Sequence, residues 1–295
     1  MSLFDTYLIV DWSAANAPKR GKDSIWIAET VRTKSGIRIN TLENPPTRSE
    51  AIARIEQIIN IARSKNRRLF AGFDFPFGYP AGAASLVSGE AKWSALWSML
   101  ACEVEDAENN RSNRYELAAR WNRDKLPAPF YWGHPHQHTY DGLGPKRPAT
   151  ENFRTMEYRI VERWAPPAKS VWQLAYNGAV GSQAMLGIAR LEKLRRRLGA
   201  DAAIWPFQTR FDENLSAPIV IAEVYPSLIE PQFQPGDVKD AAQVRTVAKN
   251  FARLDRACGF GALLARPAGL DNKDARKVMR EEGWIVGAGS AINLK

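Results

Sequence analysis

Three strand-like runs crowd into the opening of the chain, and no other feature limits its fold as much. Residues 7–10 (YLIV) are continuously apolar, as in a strand covered on both faces. Residues 24–31 (SIWIAETV) follow a loop rich in Asn, Pro, Lys and Gly. Residues 36–42 (GIRINTL) alternate, with Ile37, Ile39 and Thr41 on one side and Arg38 and Asn40 on the other. The connections are short and polar, which favours an antiparallel meander. A helix is expected next. Thr47 and Glu50 of TRSE form a capping box, and Ile52, Ile55, Ile59 and Ala62 make an apolar stripe before the basic SKNRR. A fourth strand at residues 69–73 runs into FDFPFG, so the helix is the crossover that a parallel pairing requires.

Beyond residue 80 the regularity is lost. Helical pieces near residues 90–106, 112–122 and 151–163 alternate with loops rich in Pro, Trp and His, and residues 80–170 read as an insertion that covers one side of the sheet. Residues 181–198 form a helix with Met185, Ile188, Leu191 and Leu194 inward. A short strand is allowed at residues 203–205, a fifth clear strand lies at 219–224, and a long helix spans 240–254. The expectation is one α/β domain over residues 1–295, with a mixed five-stranded sheet in the order β-β-β-α-β-α-β-α and a large, mostly helical insertion after the fourth strand. That order is the topology of ribonuclease H-like proteins. Because the same core also serves sugar kinases and ATPases, the site must decide the function.

Composition narrows the setting. At 45% hydrophobic and 25% charged residues the chain has the makings of a folded core. No stretch approaches the roughly 18 apolar residues needed to span a bilayer. The opening MSLFDTYLIVDWS, with an early acid and no basic leader, reads as a first strand rather than a signal peptide. Cys102 and Cys258, far apart and outside any CxxC pair, read as buried thiols in a reducing compartment. The expected location is the cytoplasm, with no membrane partner. A net charge of +9 favours a polyanionic partner, nucleic acid or a nucleotide.

The chemistry gathers on acids at strand ends. Asp11 closes YLIVD, Asp74 closes LFAGFD and Glu223 closes IVIAE; Pro76 and Pro226 stop the second and third of these runs soon after the acid. An unpaired carboxylate at the end of a buried strand costs several kcal/mol, which implies a cation, a hydrogen-bond cluster or the open edge of the sheet. In open α/β sheets that edge is where ligands sit. The alternative for each acid is a helix cap or an ion pair with one of the 41 basic residues. Asp240 is a fourth candidate, in the first turn of its helix, where an acid also suits the helix dipole. Oxygen-only ligation by these four points to Mg2+ or Mn2+. Two such ions about 4 Å apart would stabilise the attacking and leaving oxygens of an in-line phosphodiester cleavage.

At these residues the chain resembles a family of uncharacterised predicted nucleases with a ribonuclease H-like fold. The matching pieces are LIVDWS, FAGFDFPFG, NGAVGSQ, IAEVYPS, KDAAQVR and EEGWIVG, spread over almost the whole chain outside the middle of the insertion. The resemblance implies metal-dependent phosphodiester hydrolysis, with Asp11, Asp74, Glu223 and Asp240 as metal ligands. Some relatives carry names from molybdopterin or cobalamin biosynthesis. An acid on the first helix, part of the better-known ribonuclease H pattern, is missing, since Glu50 and Glu56 have simpler surface roles. Two other readings stand beside this one: a nucleotide-dependent phosphotransferase on the same core, and a non-catalytic accessory protein of cofactor or nucleic-acid metabolism.

Three further features invite a role. His134, His136 and His138 alternate in HPHQHTY, so an extended segment would set them on one face for a transition metal, while a mobile polar loop is the plainer reading. NGAVGS, at residues 177–182, leads into a helix whose amides could take a phosphate, or it is an ordinary turn capped by Ser182. Trp93, Trp97, Trp121, Trp132 and Trp172, mixed with Arg111, Arg114, Arg120 and Arg123, suit either stacked bases or core packing.

Overall fold

The chain opens on β1 (Thr6–Asp11), which pairs antiparallel with β2 (Trp26–Thr33), and β2 pairs antiparallel with β3 (Gly36–Glu43). Helix α1 (Arg48–Ser64) then crosses over, so that β4 (Leu69–Asp74) returns parallel to β1 on its other side. This computed structural model describes residues 2–165, 169–212 and 215–292. Between β4 and α6 (Gly181–Leu198) come α2 (Ala83–Ser88), α3 (Trp93–Glu103), α4 (Arg114–Asp124) and α5 (Glu151–Thr155). The chain continues through β5 (Ala202–Ile204), β6 (Ile219–Glu223), α7 (Lys239–Arg256), α8 (Gly261–Leu264) and α9 (Asn272–Lys277).

The result is a six-stranded mixed sheet in the order β3-β2-β1-β4-β6-β5. Six strands replace the expected five because β5, three residues long, adds itself parallel to the outer edge of β6. Its sequence, AAI, is too short to show a period.

Strand alternation divides the core in two. Leu8 and Val10 of β1, Ala71 and Phe73 of β4, and Ile219 and Ile221 of β6 face α1, α6 and the insertion. Tyr7, Ile9, Phe70, Val220 and Ala222 face α7. Most of the insertion packs into the first of these cores, and its tryptophans carry the packing. Trp97, Trp121 and Trp172 are buried, and Trp93 stacks on Phe207 at 4.8 Å between ring centres. They are core residues, not a platform for bases.

Two expectations change. Cys102 and Cys258 are exposed, not buried. The histidine segment contains a turn at His136 and Gln137, so it presents no single extended face. His134 and His138 pack against Tyr140, and His136 packs against Tyr176. No helix among the described residues is long and apolar enough to cross a membrane.

Candidate active site at the carboxyl ends of the strands

Parallel pairing of β1 with β4 sets Asp11 directly opposite Asp74. Residues in such register share a face of the sheet, here the face that packs on α7. Asp240 stands in the first turn of α7 and accepts a hydrogen bond from the Asp23 amide at 2.7 Å, which joins the helix start to the β1–β2 loop. Three of the predicted acids therefore meet at one end of the sheet. No ion pair to Asp11, Asp74 or Asp240 exists among the described residues, and the charge conflict appears in their acidities. Burial, then Asp74, Asp240 and Asp23, holds the Asp11 carboxyl well above the usual range, with Lys239 offsetting part of this. Burial, then Glu223 and Asp240, pushes Asp74 up to about 7.

Glu223 behaves differently. It pairs with Phe73, one residue out of step with Asp74, so its side chain belongs to the opposite face. There it accepts two hydrogen bonds from Arg159, at 2.7 and 2.8 Å, and one from the Phe77 amide at 2.9 Å. Arg159 is only 1% exposed; its Nε donates to Glu162 at 2.8 Å and its Nη1 to the Glu282 carbonyl at 2.9 Å. Burial pushes Glu162 up to about 6 against the pull of this arginine. Glu223 is thus neutralised by a cation from the insertion and pins the FDFPFG loop.

This corrects the four-acid, two-ion arrangement. Among the described residues no three His, Cys, Asp or Glu side chains come close enough to grip one ion together. Asp11 and Asp74 are the pair whose chemistry fits a hard divalent cation: two adjacent oxygen donors, partly buried, with no ion pair among the described residues and only Lys239 acting on Asp11 from farther off. Mg2+ commonly binds through one or two carboxylates and keeps the rest of its shell as water.

A cavity of about 380 Å3 opens beside the pair, lined by Asp74, Arg159, Glu162, Lys169, Glu223 and the opening of α6. Three residues, Gln183, Ser182 and Arg48, brace this end of the sheet. Gln183 donates to the Trp12 carbonyl at 2.8 Å, tying α6 to the residue after Asp11. Ser182 does not cap its helix but donates to the Leu174 carbonyl at 2.7 Å. The fully buried Arg48 donates to the Ser13 and Ala15 carbonyls at 3.1 and 2.8 Å and pairs with Asp106, so the loop after Asp11 is clamped to the insertion.

Sequence reasoning missed Arg159, Glu162 and Lys169. The one local signal was the Arg159-to-Glu162 spacing of three in YRIVERW, a charged pair one helical turn apart in an otherwise apolar stretch. Comparison with protein-family models, curated proteins and solved structures returns no match.

Proposed function

We propose that this chain is a metal-dependent hydrolase of phosphodiester bonds, a nuclease or related phosphohydrolase on a ribonuclease H-like core, with Asp11 and Asp74 holding Mg2+ or Mn2+. One observation carries the reading: two carboxylates lie side by side at neighbouring strand ends, in register, with no ion pair to either among the described residues. The strand order supports it. An antiparallel meander of β1, β2 and β3, followed by β4 parallel to β1 and β6 parallel to β4, is the order a ribonuclease H-like reading expects, with β5 added outside.

A divalent cation at this pair would neutralise charge developing on phosphoryl oxygens. The chain's own residues supply the frame. Asp11 and Asp74 offer oxygens from two rigid strands, and Asp240 adds negative charge from the facing helix. The Arg159–Glu223 pair fixes the end of β6 and, through the Phe77 amide, the loop after Asp74.

The test is cleavage of single- and double-stranded DNA, RNA and hybrids, and of a simple phosphodiester, in Mn2+ and in EDTA. Asp11→Asn and Asp74→Asn should each lower the metal-dependent rate by about 100-fold or more without changing the circular-dichroism spectrum. Full activity in both variants would overturn the reading. ATP turnover in place of hydrolysis would mark a phosphotransferase.

A further inference from the structure

We propose that the cavity beside Asp74 is a subsite for one nucleotide unit, its phosphate on the opening of α6 and a hydroxyl of its sugar donating to Glu162. The proposal deepens the phosphodiesterase reading and rests on it only in placing the scissile ester near Asp74.

Two independent observations meet in this cavity. The first is a helix of eighteen residues that starts without a side-chain cap: its N-cap is Val180, and the Ser182 hydroxyl is spent on Leu174. The amides of Ser182 and Gln183 have no acceptor among the described residues. Such amides at the positive end of a helix dipole form a ready anion site. Lys169 lines the same cavity and has no carboxylate partner among the described residues. The second observation is Glu162, which also lines the cavity and is 8% exposed. Its Oε1 takes Arg159, but its buried Oε2 has no hydrogen-bond partner. A carboxylate oxygen left in this state calls for a donor, because it accepts and does not donate.

The cavity therefore asks for an anion and for a hydrogen-bond donor in a single ligand. Phe75, Val224 and Tyr225 add an apolar wall suited to a flat ring. At about 380 Å3 the volume suits one small molecule or chain end rather than a stretch of duplex. A phosphate, a hydroxyl and a flat aromatic ring together describe a nucleotide better than a sugar phosphate, which lacks the base. Arg159 is shared by Glu223 and Glu162, and Lys169 supplies the second positive charge that lets the cavity take a phosphate.

Calorimetric titration in EDTA separates this subsite from the metal chemistry. Wild type should bind a nucleoside monophosphate at least 10-fold more tightly than ribose 5-phosphate, inorganic phosphate or the nucleoside alone. Val180→Asp sets a carboxylate beside the same amides. It should abolish binding of every phosphate-bearing probe while the melting temperature holds or rises. Glu162→Gln keeps an oxygen for Arg159 but turns the free acceptor into a donor; it should weaken the monophosphate about 10-fold and leave inorganic phosphate unchanged. Undiminished binding in folded Val180→Asp, or no binding of the monophosphate by wild type, would overturn the proposal. Hydrolysis in Mn2+ without nucleotide binding in EDTA would sink this subsite alone, whereas binding without hydrolysis would sink the phosphodiesterase reading alone.

Discussion

Asp74, raised to about 7 by burial and by its acidic neighbours, keeps a proton that an unfolded aspartate has already lost. This group's contribution to stability is therefore fully present below about pH 4 and is lost as pH rises through 7. The gap in melting temperature between Asp74→Asn and wild type isolates it. In EDTA that gap should widen in favour of the variant from pH 4 to pH 8, and Mn2+ should close it, since cation and proton compete for the same oxygens. A gap independent of pH would remove the charge conflict. The two kinds of acid at the strand ends should also respond with opposite signs. Asp11→Asn relieves repulsion and should stabilise the metal-free protein by about 1 kcal/mol, or ~2–4 °C. Arg159→Met leaves Glu223 and Glu162 buried without their cation and should cost ~3–5 kcal/mol. Chemical denaturation of both variants in EDTA checks this, and a destabilised Asp11→Asn would make Asp11 a structural partner instead. In sequence Asp11, Asp74 and Glu223 look alike, each ending an apolar run. What separates them is a partner 64 residues from Glu223, inside the insertion, at a distance no local pattern can report.

Helix α6 forms the wall between the acids and the insertion, and two glycines let it come close. A Cβ on Gly187 would fall 2.4 Å from the Phe75 ring, and one on Gly181 would fall 2.4 Å from the Val171 carbonyl. Gly181→Ala should push the helix opening off residues 171–173, to which the Gly181 amide is bonded at 2.8 Å to the Gln173 carbonyl. Gly187→Ala should instead displace Phe75 and the loop that follows Asp74. Each should lose ~1–3 kcal/mol in denaturant unfolding, with hydrolysis falling more in Gly187→Ala than in Gly181→Ala. Undiminished hydrolysis in folded Gly187→Ala would mean that the loop after Asp74 does not depend on this packing. The long elements were legible because amphipathic periods and the Thr47 cap are local signals; α6 has the residue bounds read from its apolar stripe. The edge strand β5 was legible only as an allowed short strand at residues 203–205, one residue off and with no pairing assigned, and the turn among the histidines was not legible. Three residues carry no period, and His136 packs on Tyr176, a residue forty positions away that no local pattern reports.

Across the whole molecule the charge of +9 is not spent at the acids. Lys249, Arg253 and Arg256 line a second depression near β3, on the far end of α7 from Asp240. An oligonucleotide that engages this surface as well as the cavity should show a salt dependence steeper than a mononucleotide's, by about 0.7 in log–log slope for each further single-strand phosphate held. Fluorescence anisotropy at several salt concentrations measures both, and identical slopes would confine recognition to the cavity. The same helix joins the ends of the fold. Asp255 accepts the Leu3 amide at 2.9 and 2.8 Å, the Phe4 amide at 2.9 Å and the Tyr7 hydroxyl, so β1 is clasped by a residue more than 240 positions away. For a nascent chain this sets an order of events. Asp11 waits while more than 200 further residues are made, because neither its facing helix nor the carboxylate that clasps its strand exists until residues 240–255 have followed. The acid cluster therefore cannot assemble on any polypeptide that stops short of residue 255, and its parts come together in a late, long-range docking step.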